Sequence, residues 1–124
     1  MTIEQLLERF LSFQQQIRLY HWTTRSYARH VASGTLYESL DKKIDQFIET
    51  LQGRHTIKNV SLKMQLQSMT DKEILKELHR FCDFLAKDIE KMLDELSISS
   101  DLKNIRDEMI SLTHQTLYLF SLKK

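Results

Sequence analysis

Among its 124 residues the chain has no proline, two glycines (Gly34 and Gly53) and one cysteine, Cys82. Sandwiches, barrels and glycine-cradled nucleotide folds need many special turns, and this chain lacks the residues that make them. A single cysteine excludes an internal disulfide. There is no apolar run of about 18 residues to span a bilayer, and no segment reads as a secretory leader. Neither sign of charge is in excess: 18 basic and 17 acidic side chains leave a net charge of +1. No global field therefore recruits nucleic acid or anionic lipid. The expectation is a cytoplasmic protein with neither a membrane nor a nucleic acid as partner. What the chain does have is 41% apolar residues in a length near the mode of domain sizes, which implies one helical domain over residues 1–124. A chain of this size hides roughly two thirds of its unfolded surface, enough for a core without disulfides.

Four amphipathic stretches carry the helical period. The first opens on a capping box, Thr2-Ile-Glu-Gln5, and steps through Ile3, Leu6, Leu7, Phe10, Phe13, Ile17 and Tyr20 to an end near His21 or Trp22. Thr23-Thr24 breaks the pattern. The second resumes by about Ser26 with Tyr27, Val31, Leu36, Tyr37, Leu40, Ile44, Phe47, Ile48 and Leu51, and Gly53 stops it. Gly34, beside Ala32 and Ser33, either admits another backbone or is a tolerated irregularity costing about 1 kcal/mol against alanine. Residues 54–70 are the least helical, with Val60, Leu62, Met64 and Leu66 alternating. They read as a long connection that lays apolar side chains on the bundle. A second capping box, Thr70-Asp-Lys-Glu73, opens the third helix, whose stripe runs from Ile74 to Leu96 and includes Cys82 as a buried, inert thiol. Ser99-Ser100-Asp101 caps the fourth, with Leu102, Ile105, Met109, Leu112, Thr116, Leu117 and Phe120 facing inward, and Lys123-Lys124 complement its dipole. Two short connections around one long one give the crossover topology of a ferritin-like four-helix bundle.

Metal ligands are the main candidates for chemistry. Asp45 and Glu49, four residues apart, stand on one face of the second helix, and such hard oxygen ligands suit iron or manganese. His21 and His30 flank the break between the first two helices, where antiparallel packing brings their rings together. Trp22 and Tyr27 beside them are expected in the core, His55 and His79 at the surface, and His114 either at the surface or partly packed on the fourth helix. From His30 to Asp45 is fifteen residues, about 22 Å along a helix, so one ion cannot touch both pairs within one chain. A single four-ligand site would need His21 and His30 from one subunit and Asp45 and Glu49 from another. Two antiparallel copies of the second helix would supply it, with a two-fold axis near residues 37–39 and Leu36, Tyr37 and Leu40 as the apolar contact.

The set His21-Trp22, His30, Asp45 and Glu49, with Leu36-Tyr37 between and Gly53 after, resembles the Dps-type mini-ferritins over residues 14–53. In that family a His-Trp pair ends the first helix, a second His lies early in the next, an Asp follows fifteen residues on and a Glu four beyond it. The resemblance implies iron as the bound metal, held between subunits by His21, His30, Asp45 and Glu49. It also implies a ferroxidase activity in iron detoxification or storage, and a homo-oligomer, a two-fold dimer or a larger shell. Three features depart from the family. The nine-residue step from His21 to His30 is a few residues shorter, no lysine-rich leading tail is present, and no Glu-x-x-His pair of the larger ferritins occurs. The strings Asp101-Leu-Lys-Asn-Ile-Arg-Asp-Glu108 and Gln115-Thr-Leu-Tyr-Leu-Phe120 are similar to small uncharacterised ferritin-like proteins of large DNA viruses. A metal-free helical adaptor or structural bundle is the alternative expectation.

Overall fold

In a computed structural model, which describes residues 1–98 and 100–122, the chain is all helical, with no strand among the described residues. Helices α1 (Ile3–Thr23) and α2 (Tyr27–Gln52) form a hairpin; α3 (Asp71–Asp83), a π-helical turn (Phe84–Asp88) and α4 (Ile89–Glu95) form one continuous rod; α5 (Ser100–Ser121) completes the four-rod bundle. Both expected capping boxes form: Thr2 with Gln5, and Thr70 with Glu73, each exchanging side-chain and backbone hydrogen bonds. Ser26 caps α2 by accepting from the Arg29 amide. The cap expected of Ser99 and the dipole role of Lys123-Lys124 lie outside the described residues.

Cross-bundle contacts fix the directions. Tyr20 at the end of α1 meets Asp71 at the start of α3, and Phe13 stacks on Phe81 with ring centroids 3.7 Å apart. Arg29 at the start of α2 reaches Phe120 at the end of α5, and Arg54, just past α2, pairs with Asp101 at 2.7 Å. So α1 and α5 run one way and α2 and the α3–α4 rod the other. Residues 53–70 must return the chain along the whole bundle, and α2 alone, with 26 residues, is about 39 Å long.

That connection differs from expectation in how it is held. Leu62 and Met69 are half-buried, but Val60, Met64 and Leu66 are exposed. Polar contacts hold it instead. The buried Gln16 amide donates to the Gln67 carbonyl (2.6 Å) and accepts from the Gln67 amide (3.4 Å), standing in for a strand partner. The underlying α1/α3 seam is filled by Phe10, Phe13, Phe81 and Phe84 and closed by Arg9, whose guanidinium lies over three of these rings and forms a two-bond pair with buried Glu77.

Two local irregularities in the third rod were invisible in the hydrophobic period. The π-turn interrupts the four-residue ladder, and buried Arg106 donates to the Leu85 carbonyl within it at 3.1 Å. At the end of α4 Ser97 adopts φ 56°, and the Ile98 and Ser97 amides bond back to Leu93 and Asp94, a Schellman close made without glycine. Conversely, Gly53 ends α2 at φ −62°, so it needs none of glycine's left-handed freedom.

Candidate functional site

The three-residue turn Thr24–Ser26 sets the ends of α1 and α2 side by side, and His21 and His30 meet there. Their rings stack with centroids 3.9 Å apart and planes within 14°. His21 Nδ1 is 2.6 Å from the His30 carbonyl, and His30 Nδ1 is 2.8 Å from the His21 carbonyl. A carbonyl only accepts, so each Nδ1 carries the proton and donates. In the neutral rings the lone pairs are then on Nε2. This is the tautomer that a metal-binding histidine adopts when a carbonyl orients it.

The cradle comes from small residues of α2. Ser33 lies within 3.3 Å of His21 Nδ1 and donates to the His30 carbonyl. A Cβ on Gly34 would stand 2.9 Å from His21 Cε1, so the absence of a side chain there is what lets the imidazole lie on the helix. The small-residue stretch admits a ring, where the sequence suggested a second backbone. Tyr37 meets His21 edge-on at 5.2 Å, and Arg18 lies 4.8 Å over the Tyr37 ring while pairing with Asp41 at 3.2 Å. The sequence drew attention to Ser33, Gly34 and Tyr37, but as a small-residue stretch and a dimer contact rather than as supports of the histidines. The available signal was spacing: Ser33, Gly34 and Tyr37 stand three, four and seven residues after His30, on its face of the helix.

Asp45 and Glu49 lie on the same unbroken helix as His30 and are exposed, well removed from the histidines. Among the described residues of one chain no group of three or more His, Cys, Asp or Glu converges as a metal site. Helical geometry aligns Tyr27, Val31, Glu38, Asp45 and Glu49 within about 40° of one another, and all five are exposed.

Three expectations are corrected here. Leu36 and Leu40 are 2% and 0% exposed, so they belong to the chain's own core and cannot form an apolar dimer contact. Val31 is exposed, outside the inward stripe assigned to it. Trp22 and Tyr27, expected in the core, are 69% and 81% exposed, because the turn of chain direction at residues 24–26 leaves nothing above them. His55 and His79 are exposed as expected, and of the two alternatives for His114 the exposed one holds.

The features that sequence singled out in Cys82 are borne out. Its thiol is buried, and burial, with Asp83 beside it, pushes its pKa up to about 11.

A family model matches residues 21–120, from the first histidine of the pair to the last buried aromatic of α5. The chain therefore belongs to DUF5856, a family of unknown function. No curated protein and no solved structure matches it.

Proposed function

We propose that this chain is a ferritin-like protein that binds Fe(II) at a site shared between two copies and oxidises it, in iron detoxification or storage. The observation that carries the reading is the histidine pair, with both Nδ1–H groups bound to carbonyls and both Nε2 lone pairs left over. Carboxylate and imidazole donors together suit ferrous iron and favour its oxidised form. The long connection between two parallel rods supports the bundle type.

In this reading His21 and His30 of one chain face Asp45 and Glu49 of an antiparallel copy. Tyr27 and Val31, which share the exposed stripe with the carboxylates, replace Leu36 and Leu40 as its apolar contacts. Fe(II) is the substrate, and peroxide or oxygen takes its electron. The chain's part is to orient donors. The stacked planes add a constraint, because a metal lies in the plane of the imidazole that binds it. Two planes so nearly parallel, 3.9 Å apart at their centroids, do not meet near the rings. The pair as it stands would therefore give each ring its own ion. Glu49 would then be the carboxylate shared between the ions, with Asp45, His21 and His30 each holding one.

An anaerobic Fe(II) titration followed by peroxide or air tests this, with Asp45→Ala in parallel. Saturable binding and fast oxidation, both lost in the variant, are expected. His30→Ala and Asp45→Ala each abolish binding alone, whereas a mixed pair of the two keeps one intact site. A mixed pair that binds no iron removes the shared site. The second reading is a metal-free adaptor with the same bundle; among the described residues of one chain no three-ligand group forms, and equal titrations of wild type and Asp45→Ala would establish it.

A further inference from the structure

The histidine pair is tied from behind by the two residues that precede its members in sequence. His21 and His30 exchange ring-to-carbonyl bonds on the outer side of the α1–α2 hairpin. Consecutive residues of a helix stand about 100° apart, and Tyr20 and Arg29 turn inward at the same level. Arg29 Nη1 donates to the Tyr20 hydroxyl at 3.1 Å and to the Asp71 carbonyl at 3.3 Å, and Nη2 donates to the Phe120 carbonyl at 3.1 Å. The Tyr20 hydroxyl in turn donates to Asp71 Oδ1 at 2.6 Å, and the guanidinium lies 4.7 Å from the centre of the Phe120 ring. Tyr20 is buried, and the Arg29 side chain is 17% exposed. One residue before His30, then, α2 is bound to α1, α3 and α5 at once.

The histidine bonds tolerate little movement. Their Nδ1-to-carbonyl distances are 2.6 and 2.8 Å, so a slide of about 1 Å between α1 and α2 carries both beyond hydrogen-bond range. The Thr24–Ser26 turn limits how far the two helix ends can separate. It holds their tilt and slide weakly, since its own bond, from the Ser26 amide to Thr24 Oγ1, is long at 3.3 Å. The inner clasp supplies what the turn does not.

We infer that Arg29 and Tyr20 are positioning residues of the histidine pair. They hold α1 and α2 in the register in which each Nδ1–H reaches the other histidine's carbonyl and each Nε2 is left as the atom that can bind a metal. For metal affinity this rests on the iron reading; for the order of the rings it does not. The planar fork matters here, and the charge alone does not suffice. Three directed bonds and a ring contact leave one guanidinium, an arrangement that an ammonium on a flexible stem does not reproduce.

Nitrogen NMR of the imidazoles in the metal-free chain reads the rings directly, at about pH 8.5 where a histidine is ordinarily neutral. In the wild type both rings should carry their proton on Nδ1 alone. Arg29→Lys and Tyr20→Phe should each lose that signature to exchanging tautomers while circular dichroism keeps the helix content. Both should weaken Fe(II) binding about 10–100-fold, the usual cost of removing support behind a metal ligand. In Arg29→Ala, added ethylguanidinium should restore the ring signature and ethylammonium should not. Arg54→Gln cuts a comparable tie, to Asp101 at the opposite end of the bundle, and should lower stability without altering the rings. Ring spectra unchanged in both Arg29→Lys and Tyr20→Phe overturn the inference. So does an equal loss in Arg54→Gln, since the order of the rings would then follow stability alone. A wild type that shows the Nδ1 signature yet binds no iron removes the iron reading instead, and the ring spectra of the variants, which need no metal, still decide the positioning.

Discussion

Gly34 is the residue on which the histidine pair turns. In a helix, alanine is more stable than glycine by about 1 kcal/mol, yet here a Cβ would stand 2.9 Å from the His21 ring. Gly34→Ala should therefore leave the melting temperature level or slightly raised while displacing His21. Imidazole resonances by NMR and the iron titration check this, and a variant with both unchanged would remove the cradle from the argument. Cys82 makes the opposite point. Its thiol pKa of about 11 leaves almost no thiolate at neutral pH. The native chain should resist iodoacetamide at pH 7.5 and react at once when denatured, as read by intact mass. This property was legible in the sequence, because the position falls on the apolar stripe of its helix. The role of Gly34 was not, since nothing local says which neighbour lies over it.

At the scale of elements, α2 is where expectation and structure part. Leu40 is completely buried within its own chain, so Leu40→Arg should unfold the protein rather than separate two copies, and Leu40→Ala should cost about 2–5 kcal/mol in urea unfolding. The helical period showed that Leu36 and Leu40 share a face. It did not show which partner that face meets, and the second hairpin takes it. The end of α4 offers a converse test. Ser97 sits at φ 56°, a left-handed conformation that costs a non-glycine residue about 1–2 kcal/mol. Ser97→Gly should stabilise the chain by about 1 kcal/mol, measured by the same unfolding.

For the whole molecule, ion pairs between rods set the response to acid. Arg54 holds Asp101 below the usual carboxylate range, and the Thr70 cap does the same for Glu73. A folded-state pKa that is depressed contributes stability that is present above the ordinary value near pH 4 and is lost as pH falls through the lower, folded one. Stability should thus fall on acidification below about pH 4, and Asp101→Asn should flatten that fall in pH-dependent urea titrations. Both groups lie at the surface, so the fall is gradual.

The sequence alone determined the helices, their capping boxes and the approximate extent of the long connection, because these depend on local period and on residues three or four apart. It also placed the two histidines beside the turn between α1 and α2. Only the tertiary structure decided that their rings stack with both Nε2 lone pairs free, that Leu36 and Leu40 face inward, and that Trp22 and Tyr27 stand exposed rather than in the core. Those outcomes depend on which faces of distant helices meet, and an amphipathic period says that a face is apolar without saying what covers it.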